Sequence, residues 1–389
     1  MIARIMEPIH ALWTFPAIIL AAMLIAWAAE CGQFYISQGL ALAVLAWVQT
    51  LPEFAVEATI ALQAAKIPAQ VHLVTANFTG SLRLFVGLGW PMVYFVSLFF
   101  ARKKLYSKED GFWTIVMEDE HSVTVLSLLP ALLYFLVIYF KGTLALFDGV
   151  VLALIYAGYL FVLWKLPARD AEGVEDLGRI PRYLMKLEKT KSYIGILLFF
   201  LVGAAILWFV AHPFLESMLA LAATLGISQF VFVQWVAPFL SEFPEKLSAF
   251  HWARQVSKAP MALTNFVSSS INQWTILVAT VPFIYSFGKG YPAAIIFDDH
   301  QKIEILLTIV QSYLGFLFLA SMDFSFFEAA GLFILWIIQF FIPGIREEIT
   351  VVYGVWAAFE TVRLIMNFKQ KNAFHAFKAI VREHLLKAK

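Results

Sequence analysis

Two proline–glutamate steps interrupt otherwise apolar runs: "VQTLPEFAVEA" begins at Val48 and "FLSEFPEKLSAF" at Phe239. Proline removes a backbone donor and clashes with the preceding turn, so carbonyls just before Pro52 and Pro244 lose helical partners. Freed carbonyls beside a carboxylate make an all-oxygen cradle suited to a hard cation. A lone carboxylate at the centre of a bilayer costs at least about 2.5–3.5 kcal/mol on insertion scales and so usually serves a pathway, the alternative being a helix end that snorkels to water. Glu53 and Glu245 are the leading candidates, because each lies well inside its apolar run and the two occur in register.

Around them stand further groups with ion chemistry. Glu242 precedes Glu245 by three residues and Glu57 follows Glu53 by four, one helical turn along the same face. Neither has an acidic counterpart in the other run, where Thr50 faces Glu242 and Ala249 faces Glu57. Crowded carboxylates can carry protons; an ion pair with Lys246 or Arg83 is the alternative. Those two cations sit at the same depth and are expected to partly neutralise the four glutamates, with a purely structural salt bridge as the competing reading. Ser81, Ser269, Ser270, Gln273, Asn77 and Asn265 offer neutral oxygens and amides, although such residues also simply join membrane helices. Gln49, Thr50 and Ser241, just before the prolines, could add backbone or side-chain oxygen. Asp148 and Glu328 each open an apolar stretch, where an acidic residue favours a helix N-terminus.

The elements that must hold these residues are membrane helices. The chain has 389 residues, 61% hydrophobic and 14% charged, with a mean hydropathy of +0.79. Apolar stretches long enough to cross a bilayer recur along nearly its whole length. Spans are expected near 11–30, 36–63, 70–101, 121–140, 143–165, 193–211, 214–253, 261–287, 303–322 and 325–343, with a further apolar stretch at 349–366. A single cysteine, Cys31, rules out an internal disulfide or a cysteine metal cluster. The start of the chain lacks the marks of a clear signal peptide.

Lysine and arginine set the orientation. With eleven spans and the N-terminus outside, twenty basic residues fall on the cytoplasmic side and six outside; with ten spans the two sides carry thirteen each. Eleven is therefore preferred. The end of the chain, "KQKNAFHAFKAIVREHLLKAK", then forms a basic amphipathic helix on the cytoplasmic membrane surface.

The two halves echo each other. "LPEFAVEA" at Leu51 answers "FPEKLSAF" at Phe243, "NFTGSLRLF" at Asn77 answers "NFVSSSINQ" at Asn265, and "LFDGVVLALIYAG" at Leu146 answers "FFEAAGLFILWII" at Phe326. Corresponding spans are five crossings apart, so the second copy enters the membrane from the opposite side. The fold class is thus all-α and membrane-embedded, with two inverted repeats of five helices and an additional C-terminal helix, transmembrane or interfacial. The expected division is 1–166, a cytoplasmic linker at 167–191, 192–344, and a tail from 345 to 389. Inverted repeats are characteristic of secondary transporters, whose sites lie where interrupted helices meet.

Paired Pro-Glu helices, each followed by a "GS"-type helix, resemble the cation/calcium exchanger superfamily over roughly residues 10–343. The resemblance implies an outside N-terminus and a cytoplasmic central loop. The sodium/calcium branch carries motifs of the form G-T-S-L-P-E and G-S-N-x-x-N or G-S-N-x-x-D. By that pattern Glu53 and Glu245 correspond to the central calcium-ligating glutamates, and Ser81 and Ser269 to the serines of the second motif. The departures are specific. Glu242 stands where that branch has a small hydroxyl residue, Leu82 and Phe85 replace the asparagines, Arg83 intrudes, and Gln273 takes the position of the Asn or Asp. A glutamine after a serine pair is similar to the second repeat of proton/cation exchangers.

The expected function is antiport of a divalent cation, calcium first, against protons, by alternating access at one central site. Sodium/calcium exchange is the second reading, and a cation channel or a degenerate regulatory member, with Arg83 blocking transport, the third. No metalloprotease helix, Asp-rich prenyl-diphosphate motif or nucleophile–base pair suggests an enzyme. Expected partners are inorganic cations and membrane lipid, without nucleic acid or a resident cofactor, and one chain suffices.

Overall fold

The computed structural model describes residues 8–35, 50–101, 114–166, 173–366 and 372–386. In the first half α1 (Ala11–Gly32) is followed by α2 (Leu51–Lys66), then by α3 (Val71–Leu84) and α4 (Trp90–Phe100), which are continuous through a π-helical turn at Phe85–Gly89. Next come α5 (His121–Lys141) and α6 (Leu146–Lys165). A short α7 (Arg179–Met185) leads into α8 (Lys189–Leu225), the broken pair α9 (Gln229–Ser241) and α10 (Phe243–Arg254), and α11 (Ala259–Asn272). A second π turn, Gln273–Leu277, joins α11 to α12 (Val278–Lys289), followed by α13 (Asp299–Ala320), α14 (Phe326–Phe341), α15 (Arg346–Met366) and α16 (Ala373–Ile380). Seven of the described helical stretches are long and apolar enough to cross a membrane, and α9 and α14 are shorter apolar helices.

Two expectations change. The spans placed at 193–211 and 214–253 meet within a single 37-residue helix, α8, which runs through Pro213. The chain breaks instead at Gly226, whose φ of +66° is the left-handed cap that glycine adopts without strain. Just beyond Pro213 the helix is held to α1, where Thr14 and Ser217 share a hydrogen bond of 2.8 Å and the Phe15 and Phe214 rings meet edge-on at 5.4 Å. At Gly203 a Cβ would stand 2.8 Å from Ile25 and 3.0 Å from the Ala21 carbonyl, so the small residue sets the spacing of these two helices. The second departure is the tail. Helix α16, capped by Asn372, turns Ala373, Ala376 and Ile380 inward and packs on α5. Its apolar face thus meets protein.

Packing runs mainly between the halves. Helix α2 lies on α12 while α10 lies on α4; α6 lies on α12 while α14 lies on α4; α5 lies on α13. Exchanging the halves converts each of the first two pairings into its partner. The same reciprocity governs four two-residue strands: β1 (Ile115–Val116) pairs with β4 (Asp323–Phe324), and β2 (Thr143–Leu144) with β3 (Ile295–Ile296), both antiparallel. Asp148 and Glu328 act as helix caps: Asp148 Oδ2 accepts from the Ala145 amide at 2.7 Å and Glu328 Oε2 from the Ser325 amide at 2.7 Å.

Candidate cation site

The prolines do their work at helix starts. Pro52 and Pro244 occupy the first turns of α2 and α10, where no intrahelical donor is required. Between α9 and α10 the backbone leaves helical geometry at Glu242 (φ −98°, ψ 10°), so the chain enters the site broken. Both π turns lie beside the same region, one opening at Phe85 and the other at Gln273, and such turns recur at functional sites.

Three carboxylates converge there. Gln273 donates from one amide nitrogen to Glu53 Oε2 at 2.7 Å and to Glu242 Oε1 at 2.7 Å, joining the two halves. Ser81 donates to the same Glu242 oxygen. Lys246 holds the other one, Oε2, at 2.6 Å, and its ammonium lies 5.1 Å from the centre of the Phe85 ring. Glu245, one turn after Glu242, accepts at 3.1 Å from Ser269, which lies on α11 one turn before Gln273. All three carboxylates are at most 3% exposed. Glu53 Oε1, Glu245 Oε2 and Gln273 Oε1 are buried without a hydrogen-bond partner among the described residues. These are acceptors, the atoms a hard cation takes.

Other expected residues are placed differently. Thr50 accepts from Asn272 Nδ2 at 2.7 Å, a second link between halves and one that sequence reasoning missed. Ser241 and Ser270 donate to the carbonyls of Ala237 and Phe266 on their own helices, at 3.0 and 2.8 Å, which commits their hydroxyl protons to the backbone. Asn265 is half-buried and makes no side-chain hydrogen bond among the described residues. Gln49 lies outside the described residues. Glu57 is fully buried and accepts from Asn77 at 2.6 Å.

Arg83 corrects an expectation. It does not neutralise the four glutamates but binds Glu304 Oε2 at 2.5 Å and Gln339 at 3.1 Å, over the Trp235 ring. Its side chain leaves α3 on the face opposite to that of Ser81's contact, toward α13 and α14, where an unexpected carboxylate waits. Glu304 also pairs with Arg346 at 2.6 Å and accepts from Gln234 at 2.8 Å. This ionic cluster ties α3, α9, α13, α14 and the start of α15 together. Close helix packing supports it: a Cβ on Gly80 would stand 1.8 Å from the Gln234 carbonyl, so only glycine lets α3 approach α9 this closely.

The sodium/calcium exchanger protein family matches residues 9–165 and 195–343, covering both sets of site residues. The chain belongs to this family. Among solved structures, this exchanger is similar to the H+/Ca2+ exchanger CAX, with 29% identity over 98% of this chain and 92% of that one and a TM-score of 0.88. It shares its fold with YfkE (15% identity over 83% of this chain and 88% of that one, TM-score 0.59) and with the sodium-calcium exchanger NCX_Mj (16% identity over 86% and 98%, TM-score 0.54). No curated protein matches. The chain is a multi-pass integral membrane protein and a transporter of the exchanger type, not an enzyme.

Proposed function

We propose that this exchanger is a secondary antiporter that moves a divalent cation, calcium first, against protons at the centre where Glu53, Glu242 and Glu245 meet. One observation carries this reading. Three buried carboxylates and one paired lysine, Lys246, leave two net negative charges. One divalent ion neutralises that charge, and so do two protons, so the two occupancies exclude each other while each leaves the centre neutral. The unpartnered oxygens of Glu53, Glu245 and Gln273 supply ligands, and Ser81 and Ser269 orient the carboxylates from α3 and α11. Similarity to an H+/Ca2+ exchanger supports protons as the counter-ion. So do Leu82 and Phe85, which put apolar groups where sodium-coupled members are expected to carry asparagines.

The scaffold is two inverted five-helix repeats, 1–166 and 192–344, joined by a cytoplasmic linker at 167–191, with α15 and the tail from 345 to 389 appended. The N-terminus is outside and the tail cytoplasmic. The reciprocal pairings of helices and of β1–β4 with β2–β3 support the two related repeats, and the distribution of lysine and arginine supports the orientation. Alternating access follows from movement of α1 and α8, which pack chiefly on each other, past the rest.

Calorimetry of calcium binding to the detergent-solubilised protein, in buffers of different ionisation enthalpy, tests the reading. Release of more than one proton per calcium, and loss of binding in Glu53→Gln, are expected. Calcium binding without proton release, displaced instead by sodium, would make sodium the counter-ion.

A further inference from the structure

The short helix α7 lies in the linker between the halves, and neither the central site nor the repeat accounts for it. Two of its side chains, Pro181 and Leu184, are buried, and the helix packs chiefly on α1 and α8. Cys31, in the last turn of α1, donates its thiol to the Pro181 carbonyl at 3.6 Å. Leu184 enters a seat on α8 that exists because residue 195 is glycine: a Cβ there would overlap the leucine's Cδ1. Ser192 of α8 completes the junction. It accepts from Tyr35, just beyond α1, at 3.0 Å and turns its own proton to the Met185 sulfur of α7, 3.8 Å away. The Tyr35 and Tyr193 rings lie 4.2 Å apart.

The connections on the two sides of α7 differ. Toward α8 the chain is short and turned: the Lys186 amide donates to the Arg182 carbonyl at 3.2 Å, that of Leu187 to Leu184 at 3.3 Å, and that of Ser192 to Glu188 at 2.9 Å. Arg182 draws in the segment before the helix, donating to the carbonyls of Glu175 and Leu177. Toward α6, the seven residue steps from Leu166 to Gly173 make a length of chain that reaches at most about 24 Å. Helix α7 is thus tied closely to α8 and by a long tether to α6.

We propose that α7 is a clip that joins α1 and α8 at their linker ends and travels with them as one body during exchange. The inference rests on the exchange reading above. Toward the other end the pair is fastened by Thr14 with Ser217 and Phe15 with Phe214, and between these points by the close approach at Gly203. Within a bilayer two apolar helices gain little from burying apolar surface on each other, because lipid is equally apolar. At the aqueous edge such burial is favourable. A leucine and a proline wedged there against both helices therefore hold them in register where lipid cannot. The tether from Leu166 lets α6 stay with the rest of the scaffold while α7 moves.

Cys31 is the single cysteine of the chain and lies buried beside α7, so its reaction with a membrane-permeant maleimide reports whether the clip is closed. The test compares the wild type with Leu184→Ser, which empties the seat, and Gly195→Leu, which fills it. Labelling is followed in proteoliposomes at rest and during calcium uptake under a pH or a sodium gradient. In the wild type it should be slow and equal in the two conditions. Both variants should label at least about tenfold faster and take up calcium several-fold more slowly, with calcium affinity in detergent within a few-fold of wild type. Wild-type labelling that rises during uptake would mean that α7 leaves α1 in the cycle, and would overturn the clip. Variants that label as slowly as the wild type, or that label quickly yet transport at its rate, would overturn it too. Loss of calcium binding in both variants would make α7 a support of the central site and overturn it equally. A wild type that takes up no calcium under either gradient refutes the exchange reading, and the clip's role in transport falls with it.

Discussion

Replacing either end of the Arg83–Glu304 pair separates a structural role from a transport role. Glu304 holds two arginines, Arg83 at 2.5 Å and Arg346 at 2.6 Å, and is 0% exposed. Removing one partner of a buried pair costs about 3–5 kcal/mol because the other charge is left behind. Glu304→Gln strands both arginines and belongs at the top of that range. Arg83→Gln leaves Glu304 on Arg346 and Gln234, so the loss is closer to that of one charged hydrogen bond, about 1.5–3 kcal/mol. The double variant should be less damaged than the sum of the two singles, by about 2 kcal/mol, since the pair is in direct contact. Cys31 provides the assay: it is buried, so a thiol-reactive fluorogenic dye reports unfolding on heating. The expected order of melting temperature is wild type, Arg83→Gln, then Glu304→Gln, with the double variant close to Glu304→Gln. Calcium affinity in Arg83→Gln should stay within a few-fold of wild type. A large loss of affinity without a change in melting would mean that Arg83 faces the cation, and the placement would be refuted.

Other outcomes follow from the same geometry. Glu53→Gln and Glu245→Gln should each abolish calcium transport, measured as isotope uptake, because either change leaves the centre one negative charge short of a divalent ion. Apparent calcium affinity should weaken at least about tenfold for each pH unit of acidification while protons occupy the carboxylates, as followed by equilibrium binding. Gly80→Ala should push α3 away from α9 and loosen Ser81 from Glu242, lowering both melting temperature and calcium affinity.

Much of the architecture is legible in the residues because a bilayer forces it: runs of apolar side chains must be helices, and a repeated Pro-Glu step marks a break beside a carboxylate. Glu53 and Glu245, with Ser81 and Ser269, carry local motifs, and the structure finds all four buried. What joins them is not local. Gln273 reaches a glutamate 220 positions away, and Asn272 reaches Thr50 across the halves. Nothing in either motif specifies those distances. Glu304 is hard to single out because it sits at the start of the span expected at 303–322, where an acidic residue reads as a helix end. The signal is Arg83: an arginine amid apolar residues must have an anionic partner, and Glu304 is the carboxylate that α13 brings to it. The boundary expected at 212–214 fails because Pro213 looks like a break, whereas the helix continues through it, held to α1 at Gly203 before it and at Phe214 and Ser217 beyond it.

The most direct test of the central claim is radiolabelled calcium uptake into proteoliposomes, with a pH gradient and a sodium gradient imposed separately on the wild type and on Glu53→Gln. Uptake driven by the pH gradient alone and absent from the variant is the predicted result. Uptake driven only by sodium, or undiminished in Glu53→Gln, would contradict the account.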